Sequence, residues 1–277
     1  NGGTEIHKAC TENQGVKRIT SFCRNASRSL KSRLPSGQPD STRNRISWSF
    51  WPTEKAGQAG THGTYNPKHN DRSFNLANSE HIDPERAKGN IYWDCFHGFR
   101  SALDPQDPDD LAATFSEVER QFYESSYSEF IEKQNERNVR IRHTERNRSI
   151  PDLLSSRKTC PEETIYQLGT KDDHASGEVL LAVVTEFIEE FKARFGDHVH
   201  VLDWALHLDE SIPHIHERHV FDCENKYGEV APQQEKALEA MGFELPDQDK
   251  HRRTRTDRNN NIDAERGKMQ SELARQK

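Results

Sequence analysis

The sequence predicts an α+β fold, an antiparallel β-sheet with helices packed on one of its faces and basic, disordered tails at both ends. Three observations predict it. Residues 199–208 alternate in the period of a strand and are followed after a short link by a second extended run from His214, which reads as a hairpin. Leu180, Val183, Val184, Phe187, Ile188, Phe191 and Phe195 recur at helical spacing before Gly196, which predicts an amphipathic core helix over 178–195. Phe115, Val118, Phe122 and Phe130 fall near one face of a further helix over 111–137.

Taken along the chain, residues 1–50 carry nine Lys or Arg against three Asp or Glu, are poor in apolar side chains and predict no packed structure. Ser116 and Glu119 stand at capping-box spacing at the head of the 111–137 helix. Residues 164–168 read as a short strand. In the 199–208 strand, Leu202, Trp204, Leu206 and Leu208 are expected on one face and Val199, Val201, Ala205 and His207 on the other. Pro213 marks the start of the next strand. That strand continues as Glu217-Arg218-His219-Val220-Phe221, charged enough to predict an edge position. Residues 233–241 suggest a last short helix before Gly242. Residues 250–277 carry nine Lys or Arg against four acids and predict a second tail.

This organisation gives a leader over 1–55, a domain over 56–245 and a basic tail over 246–277. The chain has 277 residues, 31% hydrophobic, with a mean hydropathy of -1.04, low for a compact globule of that size, so much of it is expected to be exposed. Five cysteines (Cys10, Cys23, Cys95, Cys160, Cys223) are odd in number and unpaired by spacing, which predicts reduced thiols and a cytoplasmic location. No apolar run has the length of a membrane span or a signal sequence. The net charge of -7 does not mark a nucleic-acid binder, but charge is unevenly spread, and Arg137, Arg140, Arg142, Arg146 and Arg148 form an internal basic stretch able to meet phosphates. No methionine precedes Met241, so the chain is expected to be a piece of a longer product or an over-extended reading frame.

The densest chemistry lies in His207-Leu208-Asp209-Glu210-Ser211-Ile212-Pro213-His214-Ile215-His216, three histidines and two carboxylates in ten residues. His214 and His216, two apart on a strand, project from one face. A hairpin could bring His207 beside them, since cross-strand neighbours lie about 4.5–5.5 Å apart at Cβ, and Glu210 in the turn could complete the set. Imidazoles with a carboxylate suit a divalent first-row ion with positions left open for a phosphate oxygen or water. Neither H-E-x-x-H nor C-x-x-C occurs, which disfavours a hydrolytic zinc helix.

A second cluster, Lys68-His69-Asn70-Asp71-Arg72, is followed by His81-Ile82-Asp83-Pro84-Glu85-Arg86 and Asn90. In order and spacing these motifs and the later His-x-Asp-Glu-x-x-Pro-His-x-His resemble the MobV (Mob/Pre) plasmid mobilisation and recombination relaxases, over residues 63–242. The resemblance implies an HUH endonuclease-like palm and a DNA-nicking enzyme of a plasmid or integrative mobile element. It would cut one strand of single-stranded or hairpin DNA at a transfer origin through a covalent protein–DNA intermediate. It further implies His69 as the nucleophile and Arg72 as a phosphate clamp. His207, Glu210, His214 and His216 would hold a divalent ion, Mn²⁺ or Mg²⁺, and whether His207 or Glu210 is the third ligand stays open. Asp209 and Asn70 are expected to support the ligands, and Lys68, Arg72, Arg86, Arg140 and Arg142 to contact DNA. Relatives continue C-terminally as long helices, through which a homodimer could form. Other HUH enzymes attack through tyrosine, for which Tyr65, Tyr123 and Tyr127 are the alternatives. Two other readings remain open: a catalytically inactive DNA-binding remnant, and an unrelated metal-dependent oxygenase or hydrolase. The latter would use the histidine cluster but leave Lys68 to Arg72 without a role.

Overall fold

The computed structural model describes residues 54–55, 66–76, 79–101 and 113–243. The expectations for the basic tails, and Tyr65, lie outside these residues. The sheet has seven strands: β1 (Glu54–Lys55), β2 (Ile91–Asp94), β3 (Gly98–Arg100), β4 (Glu162–Gln167), β5 (Val199–His207), β6 (His214–Glu224) and β7 (Val230–Pro232). They run β1-β4-β6-β5-β2-β3, with β7 pairing the end of β6, and every pairing is antiparallel. The helices are α1 (Pro67–Asn70), α2 (Pro84–Ala87), α3 (Phe115–Arg140), α4 (Ile150–Ser155), α5 (Gly177–Phe195) and α6 (Gln234–Ala240). The α+β class and the antiparallel sheet are as the sequence predicts. Among the described residues no helix is long and apolar enough to cross a membrane.

Helix α5 forms where the apolar stripe demands it. Ser176 caps its first turn by accepting from the Val179 N–H, and Leu180, Leu181, Val184, Phe187, Ile188 and Phe191 are buried against Trp204, Leu206, Ile215 and Phe221 of the sheet. At about 25 cal/mol per Å² of apolar surface, this layer is the main source of the domain's cohesion. Its N-terminus presses on the hairpin: a Cβ at Gly177 would lie 2.2 Å from Leu208 Cδ2, so a larger residue there must displace the Leu208 side chain. Helix α6 adds Ala237 and Leu238 to the same side.

The helices are nevertheless divided between the two faces of the sheet instead of sharing one. On the side opposite α5, α3 and α4 bury Tyr123, Tyr127, Ile131 and Leu153 against Leu202 and Val220, while Phe115 meets Tyr92 and Ala205. The reason is visible in β6. Far from being an edge, it is central, between β4 and β5, and its charged residues are neutralised internally. Arg218 Nε donates to Glu119 Oε1 of α3 at 2.7 Å, His219 Nδ1 pairs with Glu217 Oε1 at 3.1 Å, and the Tyr166 hydroxyl donates to Glu217 Oε2 at 3.2 Å. Glu119 therefore serves the sheet, not a capping box; Thr114 is the N-cap residue, and its side chain does not cap the helix N-terminus.

The β5 pattern also changes partway. The β5–β6 register shifts between Val201 and Asp203, so Val199 and Val201 share the α5 side with Trp204 and Leu206, while Leu202 joins Tyr123 and Tyr127 opposite. One extra residue in a strand reverses the inside–outside order beyond it, which is why the uniform alternation expected over 199–208 holds only after the bulge.

Candidate metal and nucleophile site

At the open end of β5 and β6, His207 faces His214 across the ladder, and Ala205 faces His216. All three imidazoles therefore lie on the α3 side of the sheet, as the spacing of two and the hairpin require. Their rings are 5.0–5.1 Å apart centre to centre. Each ring has one nitrogen taken by an acceptor. His207 Nε2 donates to the Asn70 carbonyl at 2.8 Å, His214 Nδ1 to the Ile212 carbonyl at 2.9 Å, and His216 Nδ1 to Glu163 Oε1 at 2.9 Å. That leaves His207 Nδ1, His214 Nε2 and His216 Nε2 as lone pairs.

These lone pairs converge. His207 Nδ1 and His214 Nε2 stand 3.3 Å apart, and His216 Nε2 is buried without a hydrogen-bond partner. Two facing lone pairs repel unless a proton or a cation lies between them, and burial pushes His207 well below the usual imidazole range and lowers His214 as well. A metal ion satisfies the His207–His214 pair, while the donor atom of His216 groups with those of His207 and His69. Glu210 Oε1, 3.9 Å from His214 Nε2 and 4.0 Å from His207 Nδ1, supplies a carboxylate at the rim. Burial would raise the Glu210 carboxyl, but His214 and Arg72 outweigh it and hold it below the ordinary value, so it is ionised. The donor atoms of His207, Glu210 and His214 lie within 4.8 Å of one another, a set that fits a first-row divalent ion.

His69 comes to this centre from far upstream. Asn66 caps the short helix α1, Pro67 fixes its first turn, and the Phe115 N–H donates to Asp71 Oδ2 at 3.1 Å, tying α1 to α3. The His69 ring then lies 5.6 Å from both His207 and His216, edge-on, with Nε2 3.4 Å from Glu210 Oε1. Burial first, and the Arg72 guanidinium second, bring its pKa down to about 4, so its imidazole is neutral at pH 7. His69 is also near enough to His207 and His216 to act as a ligand.

Arg72 is deployed differently from the expected phosphate clamp. It adopts a left-handed conformation (φ 57°), is buried, and donates through Nε and Nη2 to Asp209, through Nη2 to Glu210, each at 2.8 Å, and through Nη1 to the His69 carbonyl at 2.6 Å. It locks the hairpin turn to α1. Asp209 in turn accepts from Arg72 and from Asn90 Nδ2 at 2.9 Å, so it anchors the turn and touches no imidazole. The Asn70 carbonyl accepts from His207, and its amide donates to Glu163 Oε1 at 2.6 Å.

The sequence reading missed Glu163 and undervalued Asn90. Burial would raise the Glu163 carboxyl, but the bond from His216 and the nearby Arg218 charge hold it at about 2. Its only sequence signal is the pair of adjacent carboxylates, Glu162 and Glu163, that opens the strand.

The remaining expected residues are dispersed. Lys68 is exposed beside His69, and Arg86 is exposed on α2. Arg140 and Arg142 lie at the far end of α3, whose 26 residues at ~1.5 Å each carry them ~39 Å from the end that meets α1. Nearby Arg137 is paired to Glu229. Tyr123 and Tyr127 are buried, their hydroxyls donating to the Thr159 carbonyl at 2.6 Å and to Asp222 Oδ2 at 2.9 Å, which removes both as nucleophiles.

Neither protein-family models nor curated proteins give a match to the chain. Among solved structures it is similar to the Mn-bound MobM relaxase domain (MOBV; Mob_Pre) in complex with plasmid pMV158 oriT DNA, at 20% identity and a TM-score of 0.35, covering 75% of this chain and 95% of that one.

Proposed function

We propose that this chain is a metal-dependent DNA-nicking relaxase that uses His69 as its nucleophile. The observation that carries the reading is the meeting of a neutral His69 with His207, His214 and His216, two of whose free lone pairs face each other, so that two motifs far apart in sequence share one site. A small-molecule oxygenase or hydrolase would need the three imidazoles but not a fourth histidine clamped beside them by Arg72.

The bound ion would withdraw charge from a phosphate oxygen and neutralise the charge that develops on phosphorus. His207, His214, His216 and Glu210 would hold it, and the imidazole content favours Mn²⁺ over Mg²⁺. The His69 lone pair would attack the scissile phosphorus, forming a P–N bond as the P–O3′ bond breaks and the 3′ oxygen takes up a proton. The reverse attack by a 3′ hydroxyl would rejoin the strand. Arg72 acts by holding the His69 carbonyl and Glu210 in place, and Lys68, exposed at the same turn, is the nearest free cation of the expected DNA contacts. The expected substrate is single-stranded or hairpin DNA at a transfer origin of a mobile element.

The test is an oligonucleotide nicking assay with Mn²⁺. The intact protein should form an acid-labile, alkali-resistant covalent adduct, and His69→Ala should bind Mn²⁺ yet form none. If the DNA-linked peptide maps to a tyrosine, the histidine assignment fails; if no DNA tested is nicked and His69→Ala changes nothing, the relaxase reading fails with it.

A further inference from the structure

His81 stands outside the four-residue metal centre, yet it is held against it. The Asp83 N–H donates to the Asp209 carbonyl in the hairpin turn at 2.9 Å, Ile82 is buried, and Asp83 caps α2, so the segment carrying His81 is pinned to the turn that carries Glu210. The exposed His81 ring stacks on His69 with centroids 6.4 Å apart and planes at 23°. Donor atoms of His69, His81 and Glu210 all lie within 4.8 Å of one another. Ligands of a tetrahedral ion at ~2.1 Å stand about 3.4 Å apart, a closure that an exposed imidazole can make by a rotamer adjustment.

We propose that His69, His81 and Glu210 form a second, outer cation site, and that a first-row divalent ion such as Zn²⁺ bound there withholds His69 from DNA. Two imidazoles and a carboxylate suit such an ion better than Mg²⁺ or Ca²⁺. Glu210 faces both positions, with Oε1 3.4 Å from His69 Nε2 and 3.9 Å from His214 Nε2, and one carboxylate can serve two ions about 3.5–4 Å apart. The outer site has fewer imidazoles and lies beside the Arg72 guanidinium, 2.8 Å from Glu210, so it fills after the inner one. A metal-bound His69 has no lone pair for phosphorus. Excess metal then inhibits the activity that the first equivalent supports. The inhibition rests on the function proposed above; the metal count does not.

The experiment titrates the full chain with Zn²⁺ against a chromophoric chelator and follows nicking across the same range. The native chain should bind two equivalents of unequal affinity, and His81→Ala one, with circular dichroism unchanged because His81 is exposed. Inhibition by Zn²⁺ should shift at least tenfold to higher concentration in His81→Ala. One equivalent in the native chain, or two in His81→Ala, overturns the outer site. Two equivalents and one, with inhibition unmoved, overturns the blocking of His69. The same counts with no nicking in Mn²⁺ either leave the outer site standing and remove the relaxase reading instead.

Discussion

On the α5 side of the sheet, Trp204, Leu206, Ile215 and Phe221 meet Leu180, Phe187 and Phe191, whereas on the α3 side the same two strands present Asp203, His207, His214, His216 and Arg218. The first contact is non-directional and tolerates small shifts of its parts. The second is a set of buried polar groups, each needing a partner at a fixed distance and angle. Apolar packing on one face thus supplies cohesion, and the polar face uses it to hold imidazoles in a fixed arrangement. Asn70, Glu163 and Glu119, from a helix, a strand and a second helix, are the partners that fix it.

If the faces differ in this way, single truncations should cost similar amounts on both, but only one face should be rescued by a second change. Phe187→Ala should destabilise by about 3–5 kcal/mol through its cavity. Arg218→Ala should cost about 3–5 kcal/mol by taking the facing positive charge from the buried Glu119, while Glu119→Leu with Arg218→Met should return most of that loss in urea unfolding. A double variant no more stable than Arg218→Ala would mean that the ion pair is not the reason the face holds. Next in size, Glu163→Gln should weaken Mn²⁺ binding about 10–100-fold while leaving the fold intact, because it loosens His216 without removing a ligand. Unchanged affinity in calorimetry would remove Glu163 from the site.

The last expected effect, up to about 1.4 kcal/mol within any one pH unit, concerns Asp203. It is fully buried, neither carboxylate oxygen has a hydrogen-bond partner, and burial, aided by Glu119, raises its pKa well above the usual carboxylate range. The folded chain therefore holds this proton where the unfolded chain releases it near pH 4, and stability falls as pH rises from there towards the folded pKa. Asp203→Asn removes that loss, so its advantage over the native chain should grow between pH 5 and pH 8. Equal slopes in the two proteins would mean that Asp203 is not protonated in the fold.

The sequence reveals what depends on local spacing and hides what depends on register. Helix α5, the hairpin and the three imidazoles on one face are legible because periods of 3.6 and 2 act within a few residues. Glu163 is hidden because its place beside His216 follows from pairing Ile165 with His216, a contact between strands separated by a whole helix. Glu217, Arg218 and His219 mimic an edge strand because the partner of Arg218 lies on α3, remote in sequence. Arg72 is hidden for a different reason: from a left-handed backbone its guanidinium fork, of a kind that binds phosphate, is turned onto Asp209 and Glu210 of its own protein.

The bulge between Val201 and Asp203 gives β5 something like a reading frame. Downstream of it, every side chain is assigned to a face by counting in twos, and His207 is the last word in that count. Substitutions between 203 and 206 change a letter; inserting one residue there shifts the frame, sending His207 towards α5 and Leu206 into the metal centre. Metal binding should vanish with one inserted residue and partly return with two, as frameshifts are suppressed, and a one-residue insertion that still bound Mn²⁺ would show that the strand can reset its own phase. The chain's tolerance to change near its chemistry is thus set less by residue identity than by parity.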